Sequence, residues 1–160
     1  MELLENARVL VAELLDEEMV ERLKAACQVD VKYKLSREEI LEIIPEYAGL
    51  IVRSETIVDK GLLDAAVNLR IVGRAGSGLD NIDIAYATQK GVIVCNTPES
   101  NVVSAAEHTM GLLLASSRNI PWADRFIKSG KWGRAQFEGS ELYGKTLGII
   151  GLGRIGGLVS

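Results

Sequence analysis

The chain has 160 residues, 48% of them apolar and 25% charged, and a formal net charge of −4. That composition suits a globular protein with a core of its own, and an acidic balance with no basic block argues against nucleic acid or a membrane surface as partner. The apolar runs are too short to span a bilayer, and the acidic opening Met1-Glu-Leu-Leu-Glu5 is not the basic start of a signal peptide. Cys27 and Cys95 form no C-x-x-C pair and read as reduced, buried thiols of a cytoplasmic protein. A single histidine, His108, argues against a His-based metal site, and no metal is expected.

The first apolar run, 8–12, suits a strand buried on both faces. Asp16 can cap a helix with Met19, Val20, Leu23 and Ala26 on one side. Residues 29–33 alternate, as an edge strand does. Ser36 and Glu39 form a capping box before Ile40, Leu41, Ile43 and Ile44, and Pro45 stops that helix. A third strand is expected at 49–52 and a third helix at 59–67, burying Leu62, Leu63 and Ala66. A fourth strand follows at 69–73, then a helix at 80–89 that ends with Gly91 at C′, then a fifth strand at 92–95. Five strands alternating with helices predict an α/β fold, a flavodoxin-like doubly wound parallel sheet of order 2-1-3-4-5.

Beyond 95 the character changes. Ser104 and Glu107 read as a second capping box, opening a long helix to about Arg118. A short helix starts at Pro121, and 130–144 is polar and glycine-punctuated, as a linker or arm would be. Trp122, Trp132 and Phe137 read as anchors of that arm. Residues 146–150 form a sixth apolar run, expected as a strand, that leads into Gly151-Leu-Gly153-Arg-Ile-Gly156. G-x-G-x-x-G after a strand is the opening of a dinucleotide-binding Rossmann unit. Gly151 makes the turn, Gly153 admits a pyrophosphate and Gly156 lets the next helix pack closely. The acidic residue that holds the ribose, about 20 positions further on, is expected outside this sequence.

Ligands of open parallel sheets bind outside the carboxyl ends of the strands. Three such ends carry suitable chemistry: Arg53-Ser54, the Arg74-Ala-Gly-Ser-Gly-Leu-Asp-Asn81 loop, and Asn96-Thr-Pro-Glu-Ser-Asn101. Guanidinium, hydroxyl, amide and main-chain N–H groups there suit a carboxylate or phosphate. Two other users of this sheet fit poorly. An FMN protein needs a hydroxyl-rich loop after strand one, and 13–18 is acidic and repels phosphate. A phospho-accepting receiver needs an Asp after strand three and a Lys after strand five, where this chain has Arg53 and Asn96.

Gly73-Arg-Ala-Gly-Ser-Gly-Leu-Asp-Asn-Ile-Asp83, Asn101-Val-Val-Ser-Ala-Ala-Glu107 and the run from Glu141 to Gly156 resemble the D-2-hydroxyacid dehydrogenase family. The resemblance implies hydride transfer between NAD and C2 of a small anionic 2-hydroxy acid. It implies that Arg53, Ser54, the backbone at Gly76, and Asn101 hold the substrate, and that Ser77, Gly151, Gly153, Arg154, Ile155 and Gly156 meet NAD. Arg134 corresponds to a residue that reaches a neighbouring subunit's site. The family's catalytic Arg, Glu and His fall beyond the glycine loop, so no catalytic residue is expected here, and His108 and Gly157 depart from the family pattern. The expected division is a substrate-binding domain at 1–100, a helix at 101–118 that is either interdomain or, in this chain, the fifth helix of that domain, an arm at 119–144 and the start of an NAD-binding domain at 145–160. The chain alone is expected to be inactive, with homodimerisation possible through 119–160. The alternative is an isolated flavodoxin-like domain with no enzymatic activity.

Overall fold

The computed structural model of the chain describes residues 7–160, and the acidic start at 1–5 lies outside them. The chain divides into two compact units, Met1–Pro98 and Glu99–Ser160.

In the first unit, β1 (Arg8–Val11), β2 (Gln28–Val31), β3 (Gly49–Val52), β4 (Ile71–Arg74) and β5 (Ile93–Asn96) form one parallel sheet of order β2-β1-β3-β4-β5. The expected topology is therefore the observed one, with the polar second strand at an edge. Local signals explain most helix starts. Asp16 caps α1 (Glu17–Lys24), accepting from the Glu18 N–H. Ser36 and Glu39 form the complete capping box of α2 (Arg37–Ile43), and Pro45 falls in the 3₁₀ turn that follows. Asp59 caps α3 (Lys60–Ala65). At the end of α4 (Ile84–Gln89), the Val92 N–H reaches the Ala87 carbonyl and the Gly91 N–H the Thr88 carbonyl. This is a Schellman closure, with Gly91 at C′ and φ +73°.

One face of the sheet carries the core. Leu10, Leu50, Val52 and Val72 are fully buried with Ile44, Tyr47, Leu62 and Leu63. The other face is less complete. Val11 is buried, but Ile71 and Ile93 stand 40% and 64% exposed. Of the apolar side expected for α1, only Val20 is buried, and Met19 and Ala26 are exposed. Cys27 is half-buried and Cys95 exposed, so neither thiol is the buried residue expected; Cys95 lies in the edge strand β5, on the open face with Ile93.

Helix α4 begins at Ile84, not at 80. Residues 79–83 are held instead by tertiary bonds: the Val58 N–H donates to the Asn81 carbonyl and the Asp83 N–H to the Val58 carbonyl. The bridge Val58–Ile82 uses the groups a longer helix would need.

The second unit opens with α5 (Val102–Ser117), followed by α6 (Ile120–Lys128), a 3₁₀ turn at Ala135–Phe137, and α7 (Arg154–Val159). Helix α5 starts two residues before Ser104, so the Ser104–Glu107 capping box does not form; Asn101 occupies the N-cap. Phe137 sits edge-on to Trp122 and to Phe126, with both centroid separations 5.1 Å. Trp132 remains 77% exposed. The arm passes tightly over the end of α5, where the Ser140 N–H donates to the Ser117 carbonyl at 2.8 Å. Residues 146–150 make no β-ladder. A strand exists by pairing, and this unit has no other strand to pair with. Among the described residues no helix is long and apolar enough to cross a membrane.

Candidate functional site

The carboxyl end of β3 delivers Arg53 and Ser54 to an exposed loop. Its main chain is fixed by a residue from the end of β1. The Glu13 carboxylate accepts from the N–H groups of Arg53 (2.9 Å), Ser54 (3.1 Å), Glu55 (3.1 Å) and Thr56 (2.9 Å). Burial alone would raise this carboxyl, but the N–H donors outweigh burial and hold it below the usual range. So Glu13 does not face solvent as part of a repelling acidic loop; it is 8% exposed and turned inward.

The same loop is tied from its other side. Asn81 Nδ2 donates to the Arg53 and Thr56 carbonyls at 3.0 and 2.7 Å, and Arg74 Nε donates to the Arg53 carbonyl at 2.9 Å. Arg74 also donates to the Gly78 carbonyl, and its side chain is 10% exposed. It is therefore a largely enclosed brace between the loops after β3 and β4. Arg53 keeps an exposed guanidinium with one long bond, 3.4 Å from Nη1 to the Leu14 carbonyl. The Ser54 hydroxyl has no partner among the described residues.

The loop after β4 carries Gly76 and Ser77. The Gly76 N–H turns back to the Arg74 carbonyl at 2.9 Å, and its carbonyl accepts from the Thr97 N–H at 3.1 Å. Both main-chain groups of Gly76 are thus engaged within the protein. The Ser77 hydroxyl donates to the Pro98 carbonyl at 3.3 Å, and Asn96 Nδ2 donates to the Ser77 carbonyl at 2.7 Å. Arg53, Ser54, Gly76 and Ser77 therefore share one end of adjacent strands β3 and β4.

The remaining candidates belong to the second unit. Asn101 is the exposed N-cap residue of α5. Arg134 is exposed in the arm, its guanidinium 5.8 Å from the centre of the Trp132 ring. Gly151 turns with φ +93°, and Gly153 caps α7 with open space where a Cβ would stand. A Cβ on Gly156 would lie 2.0 Å from the Gly151 carbonyl oxygen, so the close return of α7 demands glycine there. Arg154 and Ile155 form the first turn of α7, which packs along α5. Arg154 Nε lies 4.0 Å from Glu99, an exposed pair. Gly151 and Gly156 thus shape a tight turn into α7. His108 is exposed on α5.

A cavity of about 400 Å³ in the first unit is lined by Ala12, Glu13, Lys34, Leu35, Ile40 and Ile57 among others. It lies beside the β3 loop but takes in neither Arg53 nor Ser54. The sequence does not show that Glu13 and Arg74 brace the β3 loop from within. The only hint of Glu13 was a carboxylate directly after an apolar strand.

Residues 9–150 match the D-isomer specific 2-hydroxyacid dehydrogenase family, catalytic domain. The chain is 52% identical over 150 residues to D-3-phosphoglycerate dehydrogenase of Archaeoglobus fulgidus, covering 93% of this chain and 28% of that protein. It therefore spans little more than a quarter of the length of that relative. Among solved structures, TT0316 protein from Thermus thermophilus superposes with a TM-score of 0.87 at 31% identity, over 95% of this chain and 51% of that one. The NAD⁺-bound 3-phosphoglycerate dehydrogenase of Entamoeba histolytica gives a TM-score of 0.76 at 33% identity, over 96% and 49%. With the sheet order and the glycine turn in hand, the chain belongs to the D-isomer specific 2-hydroxyacid dehydrogenase family.

Proposed function

We infer that this chain is the substrate-binding portion of an NAD-dependent dehydrogenase for D-3-phosphoglycerate, the oxidation that opens serine synthesis. The observation that carries the reading is the exposed Arg53 guanidinium beside the Ser54 hydroxyl, on a loop whose main chain is held from both sides. A guanidinium so placed binds a carboxylate or phosphate through charge-assisted hydrogen bonds. In this reading residues 1–100 bind substrate, 101–118 form the interdomain helix, 119–144 an arm and 145–160 the opening of the NAD domain. Gly76 shapes the loop that faces the substrate, Asn101 offers it an amide, and Arg134 reaches a neighbouring subunit in a homodimer formed through 119–160. Ser77, Gly151, Gly153, Arg154, Ile155 and Gly156 meet NAD. The turn at Gly151 and the close return at Gly156 support that assignment. NAD, where bound, supplies the hydride acceptor.

The resemblance puts the proton-moving His–Glu pair and the orienting Arg beyond Gly156, and no residue of this chain matches them. The chain by itself thus reads as a binding domain without turnover. Calorimetric titration of D-3-phosphoglycerate and of NAD, each alone, tests the reading. Phosphoglycerate should bind and NAD only feebly, and mixing both should form no NADH. Absence of phosphoglycerate binding refutes the site, and measurable turnover refutes the assignment of the chain as binding domain alone.

A further inference from the structure

We propose that Glu13 is a positioning residue: its carboxylate is an internal anion that fills the main-chain nest at the end of β3, leaving the Arg53 guanidinium and Ser54 hydroxyl as the groups of that loop that read an external anion. This deepens the anion-site reading above and rests on it for the ligand.

Four consecutive N–H groups, from Arg53 to Thr56, converge on the two oxygens of one carboxylate, two on each oxygen, at 2.9 to 3.1 Å. Converging N–H groups of this kind are the protein's usual device for binding phosphate or carboxylate. Here the device is already occupied from inside, by a residue 40 to 43 positions earlier in the chain. Glu13 is 8% exposed, so a solvent anion does not compete with it on equal terms. A buried carboxylate is tolerable only when its lone pairs are satisfied, and four donors satisfy it fully. The Arg53 and Thr56 carbonyls of the same loop are taken by Asn81 and Arg74. With all four donors and both end carbonyls committed, the main chain of 53–56 is braced at both ends, and that bracing orients the side chains of Arg53 and Ser54. Preorganisation of that kind raises affinity without adding a contact to the ligand.

Glutamine at 13 cannot replace glutamate. Its carbonyl oxygen can accept two of the four N–H groups, and its NH₂ opposes the other two. Alanine leaves all four without a partner. The test uses Glu13→Gln and Glu13→Ala in the 160-residue chain, with two readouts. Amide hydrogen exchange at 53–56 should accelerate at least about tenfold, the effect of losing one charge-assisted bond, while core amides at Leu10 and Leu50 keep their protection. Adding acetate or formate to Glu13→Ala should slow exchange at 53–56 again by refilling the nest, and chloride should not. Phosphoglycerate affinity should fall by about tenfold or more in both variants and recover in part with acetate in Glu13→Ala. The proposal is overturned if exchange at 53–56 is unchanged, if core amides loosen to the same extent, or if phosphoglycerate binds the variants as well as the parent. If the parent chain binds no phosphoglycerate while the exchange and acetate responses appear, the anion-site reading fails and the nest assignment stands.

Discussion

Replacing Tyr47 by Phe removes one hydroxyl from the network that ties three strands together. Tyr47 is fully buried just before β3, and its hydroxyl donates to Asp30 of β2 at 2.8 Å. Arg8, the first residue of β1, pairs with the same carboxylate at 2.6 Å and also with Glu46. Its guanidinium lies 4.8 Å from the centre of the Tyr47 ring. Arg8 and Tyr47 together hold the Asp30 carboxyl below the usual range. Burial, and then the neighbouring Asp30, push the Tyr47 hydroxyl up to about 12. A hydrogen bond to a charged group contributes about 1.5–3 kcal/mol. Asp30 is 39% exposed and keeps Arg8, so water offsets part of the loss; Tyr47→Phe should destabilise the first unit by about 1–2 kcal/mol at neutral pH. The pH dependence is the sharper test. The hydroxyl's value is raised on folding, so its contribution is complete below the ordinary 10 and lost as pH rises through about 12. Over that window the parent should lose about those 1–2 kcal/mol, which the Phe variant does not lose. Urea unfolding followed by far-ultraviolet circular dichroism, at a series of alkaline pH values, gives the difference between parent and variant and cancels the other titrating groups. Equal stability at neutral pH, or parallel curves through the alkaline limb, would refute the reasoning.

Arg53→Ala should weaken phosphoglycerate binding by about 1.5–3 kcal/mol, the range of a charge-assisted bond, and an unchanged calorimetric affinity removes Arg53 from the site. Glu13→Gln should flatten the acid limb of stability: the folded value lies below the ordinary 4.5, so the parent's contribution is present above it and lost as pH falls further. Acid titration monitored by circular dichroism checks this, and an identical acid limb contradicts the buried nest. Gly156→Ala places a methyl 2.0 Å from the Gly151 carbonyl oxygen; overpacking of that degree costs about 1–3 kcal/mol or more. Loss of helical nuclear magnetic resonance shifts at Arg154–Val159 with the sheet unaffected is the expected result. Cutting the chain after Arg118 should leave a soluble, folded monomer by light scattering, because the exposed Trp122, Trp132, Leu147 and Ile150 are removed with the tail. A truncated chain that unfolds or still dimerises equally well contradicts the proposed domain division.

Signals confined to a few consecutive residues were legible in the sequence. Asp16 and Ser36 cap the helices they precede because an N-cap bond spans only two or three residues. Gly91 closes α4 for the same reason. The sheet order followed from five strand–helix repeats, since right-handed crossovers leave few arrangements for a parallel sheet. The sequence also located Arg53 and Ser54 at a carboxyl end, and the glycines whose φ and close approach shape the turn before α7.

Tertiary contacts decided the rest. A helix-compatible stretch at 80–83 is held by Val58 instead, because a neighbouring loop competes for the same N–H and C=O groups. An apolar run at 146–150 satisfies every local requirement of a strand, yet strand formation depends on a partner ladder that no local pattern contains. The Ser104–Glu107 spacing imitates a cap, but α5 has already begun at Val102, so that Ser104 is an interior residue. Glu13 shows the limit most plainly. By itself it reads as one more acid in an acidic loop. Only the fold brings it to four N–H groups 40 to 43 residues away, and long-range convergence of that kind leaves no periodicity or spacing for a sequence to display.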